Sequence, residues 1–191
     1  MSYKCVLMDP PWWTPGGGKS KRGSDKHYPI VKTKSLPAII MDSGVWDIHE
    51  DAHCWLWSVN SMLDDALWLM KELGFRYITN AAWVKIRNEK LQFGIGRYMR
   101  GCHELLLFGV RGKTHLPDVA PVSVFGDLSV LVDERTEHSR KPIDQYELIE
   151  SISPGPRVEL FARENRPGYT SWGNQLILDE TIISERDENH V

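Results

Sequence analysis

A chain of 191 residues, 41% apolar and 26% charged, is expected to form one domain with a single sizeable core, and it is neither disordered nor fibrous. No apolar run approaches the ~18–20 residues of a membrane span, and a net charge of −3 excludes a histone-like polycation. Three cysteines, none in a CxxC pair, make no disulfide framework, so a cytoplasmic setting without signal peptide or membrane is expected.

Residues 4–8 read as a buried strand, a short apolar run closed by Asp9-Pro10-Pro11, where two prolines force a turn. Residues 14–26 hold four glycines and four basic residues, the composition of a mobile loop. Ser35 is placed to cap a short helix through Met41 that Gly44 closes. Residues 54–59 form a strand. Ser61 then opens a helix with Met62, Leu63, Ala66, Leu67, Met70 and Leu73 on one face, and Gly74 ends it. Strands at 77–84 and 105–110 flank a basic, glycine-containing stretch. Pro142 starts a helix over 143–151, residues 157–162 make the last clear strand, and 184–191 fray. This alternation predicts an α/β fold with a largely parallel sheet and no domain boundary.

Charge is segregated along the chain. Residues 1–40 carry seven basic and two acidic groups, and 71–113 carry nine and three. Residues 41–70 and 114–191 are net acidic. Either the charges cluster on a solvated surface by chance, or two basic segments converge on an anionic partner. Eight tryptophans must fill the core or line a site that handles flat rings. Gly18-Lys19-Ser20 resembles the end of a phosphate-binding loop, but the required first glycine falls on Trp13. His53-Cys54 and Cys102-His103 resemble half metal sites. Neighbours on a strand point to opposite faces, so each pair lends one ligand at most, and no metal is expected.

Asp9-Pro10-Pro11-Trp12 sits at the carboxyl end of a buried strand, where ligands bind in open α/β sheets. Taken alone, it also reads as a proline-rich turn with an incidental aspartate and a core tryptophan. An exocyclic amine on adenine is a poor nucleophile because its lone pair is delocalised into the ring. Two acceptors bonding both amino hydrogens localise that lone pair. The Asp9 carboxylate and the Pro10 carbonyl, held rigid by proline, are such a pair. Trp12 is placed to stack on the base, and Asp9 brings negative charge near a sulfonium.

These residues, with further motifs in order, resemble the adenine-N6 methyltransferases with a DPPW motif, the seventy-kilodalton methyltransferase-A subunit family. That family includes the catalytic subunit of the messenger-RNA adenosine methyltransferase and bacterial and phage relatives. The further motifs are Trp55-Leu56-Trp57, Trp83-Val84-Lys85, and His103-Glu104-Leu105 leading to Gly109-Val110-Arg111-Gly112. His138-Ser139-Arg140-Lys141-Pro142, Glu159-Leu160-Phe161-Ala162-Arg163 and Gly173-Asn174-Gln175 complete them. The resemblance implies a Rossmann-like methyltransferase fold in permuted order, with the catalytic motif first. It implies S-adenosylmethionine as donor, with S-adenosylhomocysteine as product. Lys141 would reach the methionine carboxylate, Arg163, Asn174 and Gln175 the ribose side, and Glu159 and Phe161 would line that pocket. Tyr28 matches a tyrosine of the active-site loop, and Glu104 and Ser139 match positions beside the reacting centre. Each has a plainer alternative: Phe161 as core, Arg163 in a surface ion pair, Asn174 as a turn residue.

The chain departs from longer relatives in having eight residues before Asp9, with no counterpart of the upstream loop that touches the donor adenine. It looks like a bare catalytic domain of bacterial or phage type. The leading expectation is methyl transfer to the 6-amino group of adenine in nucleic acid, DNA ahead of RNA, by a monomer or homodimer. An RNA methyltransferase, a non-catalytic nucleic-acid-binding partner subunit and a small-molecule methyltransferase are the competing readings. Lys19, Lys21 and Arg22, in the glycine-rich loop, and the basic stretch over 85–100 are expected to flank the base pocket and meet phosphates.

Overall fold

The apolar run after the start of the chain becomes strand β1, Tyr3–Met8, inside a seven-stranded sheet. A computed structural model describes residues 2–12, 31–87, 90–94, 98–114, 116–125, 141–173 and 176. The loop expected at 14–26 and the tail at 184–191 lie outside them. Strand β2, Ile48–Ser58, flanks β1 in parallel on one side. Sheet pairing continues to β3, Arg76–Val84, through β6, His103–Arg111, which runs antiparallel to both neighbours. A short β7, Val124–Phe125, closes that edge parallel to β3. On the other side of β1, strands β8, Arg157–Leu160, and β9, Tyr169–Trp172, follow in parallel. The sheet is largely parallel, as expected, with β6 the reversed strand. Two short strands, β4 (Ile86–Arg87) and β5 (Lys90–Leu91), pair as a separate hairpin between β3 and β6.

Because β1 is buried on both faces, its side chains divide by parity. Val6 and Met8 pack with helices α1, Leu36–Met41, and α2, Leu63–Glu72. Cys5 and Leu7 face the other way, with Trp55, Trp57 and Ile149 of helix α3, Asp144–Ile152. Helix α2 ends as its sequence demands. Gly74 takes a φ of 83°, its N–H bonds Lys71 O at 2.9 Å, and the Phe75 N–H bonds Met70 O at 3.0 Å, the paired closure of a Schellman end.

Four expectations need correcting. Strand β2 starts at Ile48, not Cys54: Ile48 pairs with Tyr3 and His53 with Cys5, and the polar His49-Glu50-Asp51 run lies in the register break between those pairs. Ser61 does not cap α2; it lies within a 3-10 turn, Asn60–Met62, that precedes the helix. Strand β8 stops at Leu160 because Phe161 adopts a left-handed φ of 63°. Strand β9 was not expected, since Tyr169-Thr170-Ser171-Trp172 is short and half polar, and only pairing with β8 makes it a strand.

Candidate active site

The topology sends chemistry-bearing residues to one edge of the sheet. Asp9 follows β1, Phe161 follows β8 and Gly173 follows β9, all at carboxyl ends of parallel strands. Lys85 follows β3 at the same edge, and Glu104 opens the reversed β6 there. Open α/β sheets bind ligands at this edge.

By the alternation of β1, Asp9 points to the α3 side. Its N–H donates to Leu160 O at 3.5 Å, and the Trp12 N–H donates to Pro10 O at 2.8 Å, which fixes the turn. The carbonyl of Pro10 keeps a second lone pair. Trp12 differs from its expected role as a stacking surface. Its indole N–H donates to Trp57 O at 2.9 Å and its ring is buried in the core shared with α1 and α2. It braces the motif from behind, and Trp57 is the indole on the Asp9 side.

Lys141 is the centre of the cluster. Its Nζ donates to Asp9 Oδ1 at 2.9 Å and Oδ2 at 2.8 Å, and lies 3.5 Å from Glu104 Oε2. It also sits 5.2 Å above the Trp57 ring. Glu104 in turn pairs with Lys85, whose Nζ lies 5.1 Å from the Trp83 ring. Arg163 NH2 reaches within 3.9 Å of Asp9 Oδ2. Burial alone would lower the Lys141 ammonium, but the Asp9 and Glu104 charges outweigh it and hold the group above its ordinary range. Burial likewise pushes the Glu104 carboxyl up, and Lys141 and Lys85 overcome that push and hold it below the usual value. Both groups are therefore charged at neutral pH.

Helix α3 aims Lys141 from just outside its first turn. Gln145 accepts the Trp57 indole N–H at 2.7 Å, and the Tyr146 hydroxyl donates to Glu159 Oε1 at 3.0 Å. Those two bonds pin the helix start to β2 and β8. The Arg166 guanidinium lies 3.7 Å from the centroid of the Tyr146 ring. Burial pushes the Glu159 carboxyl up to about 7, with the Asp9 and Glu164 charges adding to the push, while the Tyr146 hydroxyl and Arg166 oppose it. Burial also takes the Tyr146 phenol up to about 12.

A carboxyl raised in the fold binds more protons folded than unfolded between its two pKa values, so it weakens the fold as pH rises from about 4.5 to about 7. Glu159→Gln is expected to remove that penalty, on the order of 2 kcal/mol after allowance for partial exposure. Urea unfolding of both proteins at pH 5 and pH 8 checks this: the variant gains at pH 8 and little at pH 5. Equal gains at both values would mean that Glu159 titrates normally.

Beyond β8, the left-handed Phe161 turns the chain so that its ring meets Trp172 edge-on, centroids 5.5 Å apart. The Ala162 N–H donates to Trp172 O at 2.9 Å, and a Cβ at Gly173 would overlap the Ala162 backbone. A glycine is required for that approach. Among the described residues, Ser171, the register partner of Glu159, has a buried Oγ without a hydrogen-bond partner, and the Tyr169 hydroxyl, further back on β9, has none either.

The structure thus brings together Asp9, Pro10, Pro11, Glu104, Lys141, Glu159, Phe161 and Arg163 of the expected set, with Trp12 behind them. Tyr28, Lys19, Lys21, Arg22, Ser139, Asn174 and Gln175 lie outside the described residues. Tyr146 and Arg166 had no role assigned from sequence, and Lys85, expected to meet phosphates as part of a basic stretch, instead pairs with Glu104. For Lys85 the signal was present, since Trp83-Val84-Lys85 precedes a basic stretch and Glu104 follows it. Tyr146 is indistinguishable in sequence from any aromatic on a helix face.

The MT-A70 family profile matches residues 3–175, from the start of β1 to beyond β9. The chain belongs to the MT-A70 family. Its mixed α/β architecture is that family's methyltransferase fold. A type II methyltransferase of Mycoplasma sp, M.MunI, is 26% identical over 98% of this chain and 84% of its own length. A putative N(6)-adenosine-methyltransferase MT-A70-like protein of Medicago truncatula is 32% identical over 91% of the chain. The mouse N(6)-adenine-specific methyltransferase METTL4 is 29% identical over 92% of it. The chain spans 26% of the length of the plant relative and 38% of METTL4.

Proposed function

We propose that this MT-A70 chain transfers a methyl group from S-adenosylmethionine to the 6-amino group of adenine in nucleic acid, with DNA ahead of RNA. The observation that carries this reading is the adjacency of Asp9 and Pro10 at the carboxyl edge, with Lys141 and Arg163 directly beside them. Asp9 and the free lone pair of Pro10 O are two fixed acceptors for the two amino hydrogens. An N–H proton must leave the amine as the new N–C bond forms, and Asp9 is the base within reach of it.

The donor's functional groups find matching partners. Lys141 and Arg163 offer cations for a carboxylate, and Glu159 offers acceptors for ribose hydroxyls. The Ser171 Oγ, without a hydrogen-bond partner among the described residues, lies beside Glu159 on the same strand pair, and the Phe161–Trp172 ring pair stands at its end. When bound, S-adenosylmethionine supplies an electrophilic methyl carried on a sulfonium. Because Lys141 already holds both Asp9 oxygens, it must loosen from Asp9 to meet a donor carboxylate. That same exchange exposes Asp9 to the amine. Donor capture and acceptor activation are coupled through one ammonium.

The names of the relatives support adenine as the acceptor. DNA is placed first because the relative that matches this chain nearly end to end is a type II methyltransferase. The test is transfer of labelled methyl from S-adenosylmethionine to DNA, RNA and free adenosine, side by side, with modified adenines then mapped. Label in DNA at adenine N6 is the expected result. Label on free adenosine alone would overturn the nucleic-acid substrate, and no label anywhere would make the chain a non-catalytic partner.

A further inference from the structure

Between β3 and β6 the described residues 85–87, 90–94 and 98–102 leave the sheet as a finger. The Lys85 N–H donates to Cys102 O at 2.7 Å at its root, Gln92 N–H to Lys85 O at 2.8 Å, and Gly94 N–H to Gly101 O at 2.7 Å further out. Residues 85–102 carry five basic side chains and one acidic. Among them stand large apolar side chains that the fold leaves in solvent. Phe93 is 53% exposed, Tyr98 100% and Met99 85%, with Leu91 half exposed. The Arg100 guanidinium lies 5.0 Å from the Phe93 ring, and its Nε donates to Gly94 O at 3.3 Å. The finger is rooted in the active site, because Lys85 pairs with Glu104 and Glu104 with Lys141, which holds Asp9.

We infer that this finger is a stacking platform for unpaired nucleotides flanking the target adenine, with Phe93 and Tyr98 supplying rings and Lys90 and Arg100 meeting phosphates. The inference rests on the nucleic-acid reading above and adds the surface that holds the strand and the unpaired state of its bases. Exposed rings interleaved with cations suit single-stranded nucleic acid, where every base offers a face to stack and every residue a phosphate. A second exposed apolar surface makes the contrast. Leu116, Val119 and Val122 are as exposed, but their segment between residues 116 and 125 holds one charged side chain, Asp118. That patch lacks the chemistry to meet a polyanion.

The test compares the wild-type chain with the Phe93→Ala/Tyr98→Ala double variant, two exposed positions whose truncation leaves the core intact. Each binds a fluorescent thirty-nucleotide deoxythymidine strand and an abasic strand of equal length, over a series of salt concentrations. The double variant is expected to lose at least about thirtyfold in affinity for the thymidine strand, from two stacking rings at ~1 kcal/mol or more each. Its affinity for the abasic strand, and the slope of log affinity against log salt, stay unchanged because the cations remain. Unchanged affinity for the thymidine strand overturns the platform. So does a variant that binds the strand normally but loses self-association in sedimentation, which would make the rings a protein contact. Methyl transfer to DNA and RNA by the wild-type chain is measured in the same preparations. Transfer present with strand affinity unchanged in the variant sinks the platform alone; no transfer by the wild-type chain sinks the functional reading.

Discussion

Lys141→Ala is expected to cost about 3–5 kcal/mol of stability at pH 7 and to abolish methyl transfer. The Lys141 side chain is only 11% exposed, and it stands between carboxylates that are 24% and 15% exposed, Asp9 and Glu104. Taking the ammonium away leaves two poorly hydrated negative charges beside one another. Lys85 remains on the far side of Glu104, and Arg163 stays 3.9 Å from Asp9, too distant to replace a two-oxygen contact. The loss has a pH signature. Glu104 is held below its ordinary pKa in the fold, so its pairing stabilises the protein above about 4.5 and that stability fades as pH falls through the lowered value. The variant has little of that stability to lose. The gap between wild type and Lys141→Ala therefore narrows in acid. Urea unfolding at pH 7 and pH 4 measures it, with Lys141→Met as a partner variant that keeps a long apolar side chain but lacks the ammonium that lies 5.2 Å from the Trp57 ring. A deficit equal at both pH values, and absent in Lys141→Met, would assign the effect to packing and overturn the electrostatic account.

What the sequence disclosed and what it hid follow from the range of the interactions. Residues 4–8 were legible because a strand buried on both faces reads as an unbroken apolar run, and Asp9-Pro10-Pro11 stops it with two missing donors. Gly74 was legible because a helix end needs a left-handed residue, and the pattern of α2 before it is periodic. Strand β9 was not, since Tyr169–Trp172 owes its extended form to a ladder with β8. The first part of β2 was hidden for the same reason. At the site, the residue types were visible and their pairing was not. Lys141 and Asp9 are separated by 132 positions, and nothing local to either tells that they touch. The resemblance gave Lys141 to the donor and Asp9 to the acceptor as separate tasks. Their contact makes the tasks one.

That coupling sets what Asp9 variants should do. Asp9→Ala removes one of two fixed acceptors for the amino hydrogens, and loss of such a preorganised group typically costs ~10²–10³ in rate. With the proton acceptor gone as well, turnover is expected to fall by at least about 10³, from both the lost hydrogen bond and the lost base. Asp9→Asn keeps one carbonyl oxygen that can accept a hydrogen bond but is no base, so it is expected to retain a small fraction of activity. Donor affinity should move the other way. In the wild-type chain an incoming carboxylate competes with Asp9 for Lys141, whose contacts to Oδ1 and Oδ2 at 2.9 and 2.8 Å must be exchanged. Asp9→Ala abolishes that competitor and leaves Glu104, at 3.5 Å, to keep the ammonium in place. Titration calorimetry with S-adenosylmethionine is therefore expected to show affinity held or raised in Asp9→Ala while turnover collapses. The fold should tolerate the change better than Lys141→Ala, because the cation left behind still has a carboxylate partner whereas the carboxylates left by Lys141→Ala face each other. If Asp9→Ala instead lost the donor, Asp9 would be a donor ligand in its own right, and the assignment of the acceptor amine to Asp9 and Pro10 would fall.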